Sequence, residues 1–209
     1  MSRRESIAAL LALVLCVGCC PVTRAQAVAQ AINHTYALLV GVSEYPTLEP
    51  GLQLNGGPRN DVLLFQRYLQ ERGVTSDNIT VLTDGTRDAA LPTRSAILEN
   101  LSRLGEQAGP GDFVVLVFAG HGSQQPSKDD PRIEPDGLDE IFLPRDVGHW
   151  VGETAAVENA ITDNEFGEAL DRIRARGAFV WAIFDTCHSA TMTRAMSVPE
   201  EREDRKSVV

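Results

Sequence analysis

Basic charge is what this chain has least of. Lys and Arg number 19 against 29 Asp and Glu, a formal net charge of -10. Nucleic-acid binding needs a basic patch and a peripheral membrane anchor needs clustered cations, so the composition argues against both. Cysteine is scarce where a scaffold would need it. Of 4 Cys, three crowd together as Cys16, Cys19 and Cys20, and only Cys187 lies in the body. That distribution argues against a disulfide-stapled scaffold and against a Cys-rich zinc site, and His34 and His149 lack ligand-like spacing. The apolar run at residues 7–17 is too short for an ordinary membrane span. No internal repeat and no phosphate-cradling glycine motif occurs.

What is present suits one folded domain. A length of 209 residues and an apolar content of 43% allow a single sizeable core. Arg3 and Arg4 ahead of residues 7–17 have the layout of a secretory signal. Two processing routes compete. Ala25-Gln26-Ala27 is an Ala-x-Ala site, and cleavage after Ala27 leaves Cys187 as the single thiol. Val17-Gly18-Cys19 resembles the end of a bacterial lipobox and would make Cys19 lipid-bearing, although Cys16 stands where Leu is usual. An uncleaved anchor is the third option. The expected organisation is a signal peptide over 1–27 (or a lipoprotein signal ending before Cys19), a domain over 28–198 and a charged tail over 199–209. Either cleavage route implies export to the periplasm or the medium, with membrane attachment only through a lipidated Cys19.

Strand-length apolar runs alternate with helical stripes. Residues 36–42, 79–82, 113–118 and 178–184 have the character of buried strands, and residues 141–143 of a short one. Between them, Val62, Phe65 and Leu69 share one helical face, as do Ile97, Leu101 and Leu104, and Phe166, Leu170 and Ile173. Asn60 or Asp61, Thr93, and Thr162 with Glu165 are the expected caps; Gly73 and Gly177 are expected stops. The polar, acidic stretch 123–139 is expected as a surface loop. This order predicts an α/β three-layer sandwich with a mainly parallel sheet. Right-handed crossovers place the carboxyl ends of the strands on one edge, where open α/β sheets hold ligands.

Two residues with complementary chemistry fall at that edge. Cys187 follows one buried strand and His121, flanked by Gly120 and Gly122, follows another. An imidazole near a thiol favours the thiolate and can serve as base and then acid in acyl transfer. Backbone N–H groups in a turn beyond Cys187 could hold an oxyanion. The structural alternative is an inert buried Cys and an unrelated loop His.

The sequences Phe118-Ala119-Gly120-His121-Gly122-Ser123 and Asp185-Thr186-Cys187-His188-Ser189-Ala190 together resemble the caspase–metacaspase superfamily of cysteine peptidases (peptidase C14), its bacterial metacaspase-like members above all. Gly57 with Asn60-Asp61, then Asp136-Gly137-Leu138-Asp139-Glu140, Pro144 and Asp146, are similar to other family segments in the expected order. The resemblance covers about residues 36–190. It implies a caspase-like (caspase–haemoglobinase) fold and a cysteine endopeptidase with His121 as general base and Cys187 as nucleophile. Gly122 and Cys187 would supply the oxyanion N–H groups, and His188 would be a bystander. Asp185 and Asp61 would form an acidic pocket favouring Arg or Lys before the scissile bond. Arg59 points weakly the other way, toward an acidic substrate residue, and a cap role for Asp61 competes. No cofactor is required on this reading. Calcium activation through Asp139 and Glu140 is one option, and solvated loop charge, shared by Asp129, Asp130 and Asp136, is the other. Caspase-like domains continue well past the nucleophile, whereas about twenty polar residues follow Cys187 here. The expectations are therefore an incomplete C-terminal part, an uncovered sheet edge, a partner chain that completes the fold, or a catalytically impaired binding or regulatory protein.

Overall fold

A computed structural model describes residues 32–127, 136–149 and 156–188, with Cys187 and His188 described by backbone position. The expected signal, Cys19, Asp129, Asp130 and the charged tail lie outside the described residues. In chain order the elements are β1 (Thr35–Gly41), α1 (Gly57–Glu71), β2 (Ile79–Thr83), α2 (Arg94–Gln107), β3 (Phe113–Pro126), β4 (Leu138–Phe142), β5 (Ile161–Thr162), α3 (Asp163–Ala175) and β6 (Phe179–His188). Short 3-10 turns cover Pro50–Leu52 and Ser76–Asn78.

β1, β3 and β6 are parallel neighbours, with β2 parallel on the far side of β1. The outer half of β3 pairs antiparallel with β4, which pairs with β5. Strand periodicity sends alternate residues to opposite faces. Ala37, Leu39, Val115 and Val117 meet Val62 and Leu69 of α1 in one core. Leu38, Val40, Leu116 and Phe118 meet Ile97 and Leu101 of α2 and Phe166 and Ile173 of α3 in the other. Helices on both faces of one sheet give the expected three layers.

Two caps form as their side chains dictate. Thr93 accepts a hydrogen bond from the Ala96 N–H, and Thr162 with Glu165 makes a complete capping box. The cap of α1 is different. Its N-cap is Gly56, at φ 83°, and no side chain caps it, so Asn60 and Asp61 lie inside the first turns. Pro58 explains the earlier start: its fixed φ and missing N–H suit a helix's first turn. The cap role for Asp61 is thereby removed.

Residues 123–126 continue β3 and do not begin a loop. The β4 ladder and side-chain pairing override their polar composition. Buried Gln125 accepts the Val157 N–H at 3.0 Å, and Gln124 donates to Glu140 at 3.1 Å. β6 likewise runs past Phe184 through Cys187, which therefore sits within a strand and not in a turn beyond it. The outer side of β6 pairs with no strand among the described residues, and Phe179, Trp181 and Phe184 stand 67%, 49% and 45% exposed.

Candidate active site

The parallel ladder between β3 and β6 sets the site. Its register runs Ala119↔Asp185, Gly120↔Thr186, His121↔Cys187 and Gly122↔His188. His121 and Cys187, 66 positions apart in sequence, thus occupy facing positions on adjacent strands, a spacing of about 4.8 Å. The edge at which they meet is the carboxyl end of the parallel strands.

His121 is held from three directions. Its main-chain N–H donates to Tyr45 Oη at 2.8 Å, and its carbonyl accepts the Leu143 N–H at 3.0 Å. Its Nε2 lies 2.7 Å from the Leu52 carbonyl oxygen. A carbonyl can only accept, so Nε2 carries the ring hydrogen and the neutral imidazole keeps its lone pair on Nδ1. Burial of the ring holds its pKa below the ordinary 6.5, against a smaller upward pull from the Leu52 carbonyl. The ring is therefore neutral at neutral pH, as a base must be.

The loop between β1 and α1 supplies both Tyr45 and Leu52. Gln53 closes it: its Oε1 accepts the Tyr45 N–H at 2.7 Å and its Nε2 donates to the Tyr45 carbonyl at 3.0 Å. Asp84, fully buried at the end of β2, accepts the N–H groups of Ser43 and Glu44 at 2.9 and 2.8 Å. Arg59 donates its N–H to Ser43 Oγ, and its guanidinium packs against Gly56 and Gly85. Tyr45 and the Leu52 carbonyl were not anticipated from sequence. A carbonyl leaves no trace in residue type, and the one cue to Tyr45 was an aromatic among the leucines, prolines and polar residues of the loop.

Strand parity places Gly122. The N–H and C=O of His121 both face the edge of β3 that carries β1 and β4. Alternation then turns the Gly122 N–H to the opposite edge, into the β6 ladder. The same alternation from the Phe179 N–H, which donates to Asp112, turns the Cys187 N–H into that ladder too, so neither expected oxyanion donor is free in this register. Asp185 is exposed, two residues before Cys187. Asp61 is exposed on α1, next to Val62, whose Cγ2 lies against Gly41. Gly41 pairs with Ala119 and Ala119 with Asp185, so the two carboxylates belong to the same end of the sheet.

Asp139 and Glu140 lie on β4 and pair with Gln125 and Gln124. Asp139 Oδ1 and Asp163 Oδ1 are buried without hydrogen-bond partners among the described residues. Burial first, then the charges of Glu140 and Asp139, raises the Asp163 pKa above the usual carboxylate value. These orphaned oxygens have the donor chemistry of a hard cation. Yet among the described residues no group of three or more His, Cys, Asp or Glu is placed to hold a metal ion. The described carboxylates do not by themselves complete a coordination sphere.

Comparisons with known proteins agree with this architecture. Protein GSU0716 from Geobacter sulfurreducens superposes with a TM-score of 0.55 at 23% identity, covering 77% of this chain and 53% of that one. The shared arrangement is the caspase-like fold. The family profile described as "Metacaspase, peptidase C14 domain" matches residues 35–196. Metacaspase-1 of Candida albicans is 34% identical over 160 residues, covering 75% of this chain and 33% of that protein. Metacaspase-4 of Arabidopsis thaliana is 33% identical over 154 residues, covering 73% and 33%. The chain belongs to the metacaspase family of peptidase C14. It spans about a third of the length of these curated relatives.

Proposed function

We propose that the chain is a cysteine endopeptidase that cleaves after Arg or Lys with His121 and Cys187 as its dyad. The observation that carries this reading is the register His121↔Cys187, combined with an imidazole whose Nε2–H is already committed to Leu52. Nδ1 takes the Cys187 proton as the sulfur attacks the scissile carbonyl carbon. The family resemblance gives the oxyanion to the N–H groups of Gly122 and Cys187, which have to leave the β3–β6 ladder to reach it. Collapse breaks the C–N bond, and His121 returns the proton to the departing amine, leaving an acyl-enzyme. A water molecule then gives a proton to His121 and attacks the acyl carbon, the C–S bond breaks, and His121 returns the proton to the sulfur as the acid leaves. Asp185 and Asp61 draw a cationic side chain to the same end of the sheet.

An Arg- or Lys-linked fluorogenic peptide assay on the purified protein tests this reading. Cys187→Ala and His121→Ala should each abolish hydrolysis, while His188→Ala should leave most of it. Loss in His188→Ala with His121→Ala unaffected would reverse the assignment. Calcium activation through Asp139 and Glu140 is the attached regulatory proposal, read by adding Ca²⁺ to the same assay. Export is the attached proposal for location, and mass spectrometry of the native protein should find a terminus at Val28 or a lipidated Cys19.

The exposed aromatics along β6 favour one second reading, a non-catalytic caspase-like protein that docks a partner chain there. Labelling with a basic acyloxymethyl ketone peptide separates the two. A Cys187 that reacts no faster than a free thiol in folded protein, with no turnover under any condition, selects the second.

A further inference from the structure

The β1 ladder on β3 ends where the Val42 N–H reaches the Ala119 carbonyl at 2.9 Å. The β4 ladder on the same edge begins where the Leu143 N–H reaches the His121 carbonyl at 3.0 Å. The donor in the seam between them is the His121 N–H, and Tyr45 Oη accepts it. Tyr45 is completely buried. Its ring centroid lies 4.9 Å from that of His121, with the planes tilted by 38°, so the phenol also walls the imidazole.

We infer that Tyr45 is a positioning residue for His121, clamping its main chain and ring so that Nε2 meets Leu52 and Nδ1 faces the β6 edge. The inference rests on the peptidase reading above. Three independent contacts lead to it. The hydroxyl fixes the His121 amide. The ring fixes one face of the imidazole. Through Gln53, which binds both main-chain groups of Tyr45 and follows Leu52 directly, the same loop holds the carbonyl that accepts Nε2–H. A side chain tied at its own amide and at its ring nitrogen by one closed loop has little freedom to rotate, and acid–base catalysis requires that restriction.

This clamp adds to the backbone reason for the glycine before His121: the φ of Gly120 is 158°. A Cβ on Gly120 would lie 2.8 Å from Tyr45 Oη, inside contact distance, whereas its next neighbours, Phe142 Cε2 and Val42 Cβ, would be at 3.4 Å. Gly120 is therefore the residue that lets the hydroxyl reach the strand.

The test uses the full-length protein and three variants: Tyr45→Phe, Gly120→Ala and the double variant. Tyr45→Phe keeps the ring and removes the acceptor. Expected are a kcat lower by about tenfold or more with KM changed less than about twofold, the signature of a lost transition-state arrangement. In parallel, NMR should show faster hydrogen exchange at the His121 amide and a weakened or averaged imidazole Nε2–H signal, while Val42 and Val117 amides stay protected. Gly120→Ala should give the same NMR pattern, and adding Tyr45→Phe should recover part of its loss, because the atom met by the new Cβ is gone. Unchanged His121 signals in Tyr45→Phe overturn the inference. So does a fall in protection across the whole sheet with kcat and KM moving together, and so does a Gly120→Ala loss that is identical in both Tyr45 backgrounds. If the wild type cleaves no peptide, the peptidase reading fails while the NMR result still decides the clamp. If Tyr45→Phe does not fold, the unaltered protein decides: a slowly exchanging His121 amide and Tyr45–His121 ring cross-peaks support the clamp, and their absence overturns it.

Discussion

Gly41→Ala probes the joint on which both the loop holding His121 and the helix carrying Asp61 depend. Gly41 ends β1, and α1 crosses directly over it. A Cβ there would lie 2.6 Å from the Pro58 carbonyl oxygen, 2.8 Å from Val62 Cγ2 and 2.9 Å from the Pro58 carbonyl carbon. Two of these atoms are backbone. The third belongs to a β-branched side chain that has one strongly preferred rotamer in a helix. Neither partner can turn aside, so α1 must lift from the sheet. Overpacking of this kind costs about 1–3 kcal/mol, offset by roughly 0.5–1 kcal/mol because alanine loses less chain entropy than glycine on folding. Because two of the atoms met are backbone, the upper part of the resulting range applies, a net loss of about 1–2.5 kcal/mol, which corresponds to a Tm lower by roughly 2–10 °C for a domain of this size. Gly167→Ala is the control, since Gly167 lies within α3 and a Cβ there would meet nothing within 4 Å. It should stabilise by about 0.5–1 kcal/mol. Urea unfolding followed by far-UV circular dichroism reads both. Peptide hydrolysis by Gly41→Ala should fall by more than the unfolded fraction explains, because the displaced loop and helix carry Leu52 and Asp61. A Gly41→Ala protein within about 0.5 kcal/mol of wild type, the range of an indifferent surface change, would refute the contact argument.

The His121 pKa is lowered by burial, so the folded state holds that proton less tightly than the unfolded chain. Its contribution to stability is therefore present above the unfolded value of 6.5 and is lost as pH falls from there toward the folded pKa; pH-dependent unfolding of wild type against His121→Gln should show the difference below 6.5. The acid limb of kcat/KM should likewise lie below 6.5, and a midpoint well above it would contradict a buried, neutral base. Asp185→Asn and Asp61→Asn should each lower kcat/KM for Arg peptides by about 10- to 100-fold, the range of a charge-assisted hydrogen bond, and cleavage after Asp in a peptide library would refute the acidic pocket. Thr162→Ala breaks the hydrogen bond from the Glu165 N–H at 3.2 Å and should cost about 1 kcal/mol in urea unfolding. Peptide hydrolysis should persist there, because the Arg94 ion pair still holds Glu165.

Residue order alone determined the layers of this protein. Apolar runs such as 113–118 are continuous because parallel strands are buried on both faces, and the stripes of α1, α2 and α3 repeat at helical spacing because one face of each meets the sheet. Thr93 and the Thr162–Glu165 pair announced their helices because a cap is a local hydrogen bond. The placement of His121 and Cys187 at one edge was legible for the same reason: both follow apolar runs whose crossovers share a hand. Tertiary structure decided what depends on partners distant in the chain. Residues 123–126 are strand because β4 offers a ladder and Gln125 finds Val157, which no local propensity records. α1 begins at Gly57 and not at Asp61 because the loop closed by Gln53 delivers the chain with Pro58 already in a helical turn. The register that sets His121 beside Cys187, and the tautomer dictated by Leu52, rest on a strand pairing and a main-chain carbonyl. A carbonyl is identical in every residue, so composition and spacing carry no mark of it; its position is settled when the loop closes over the sheet.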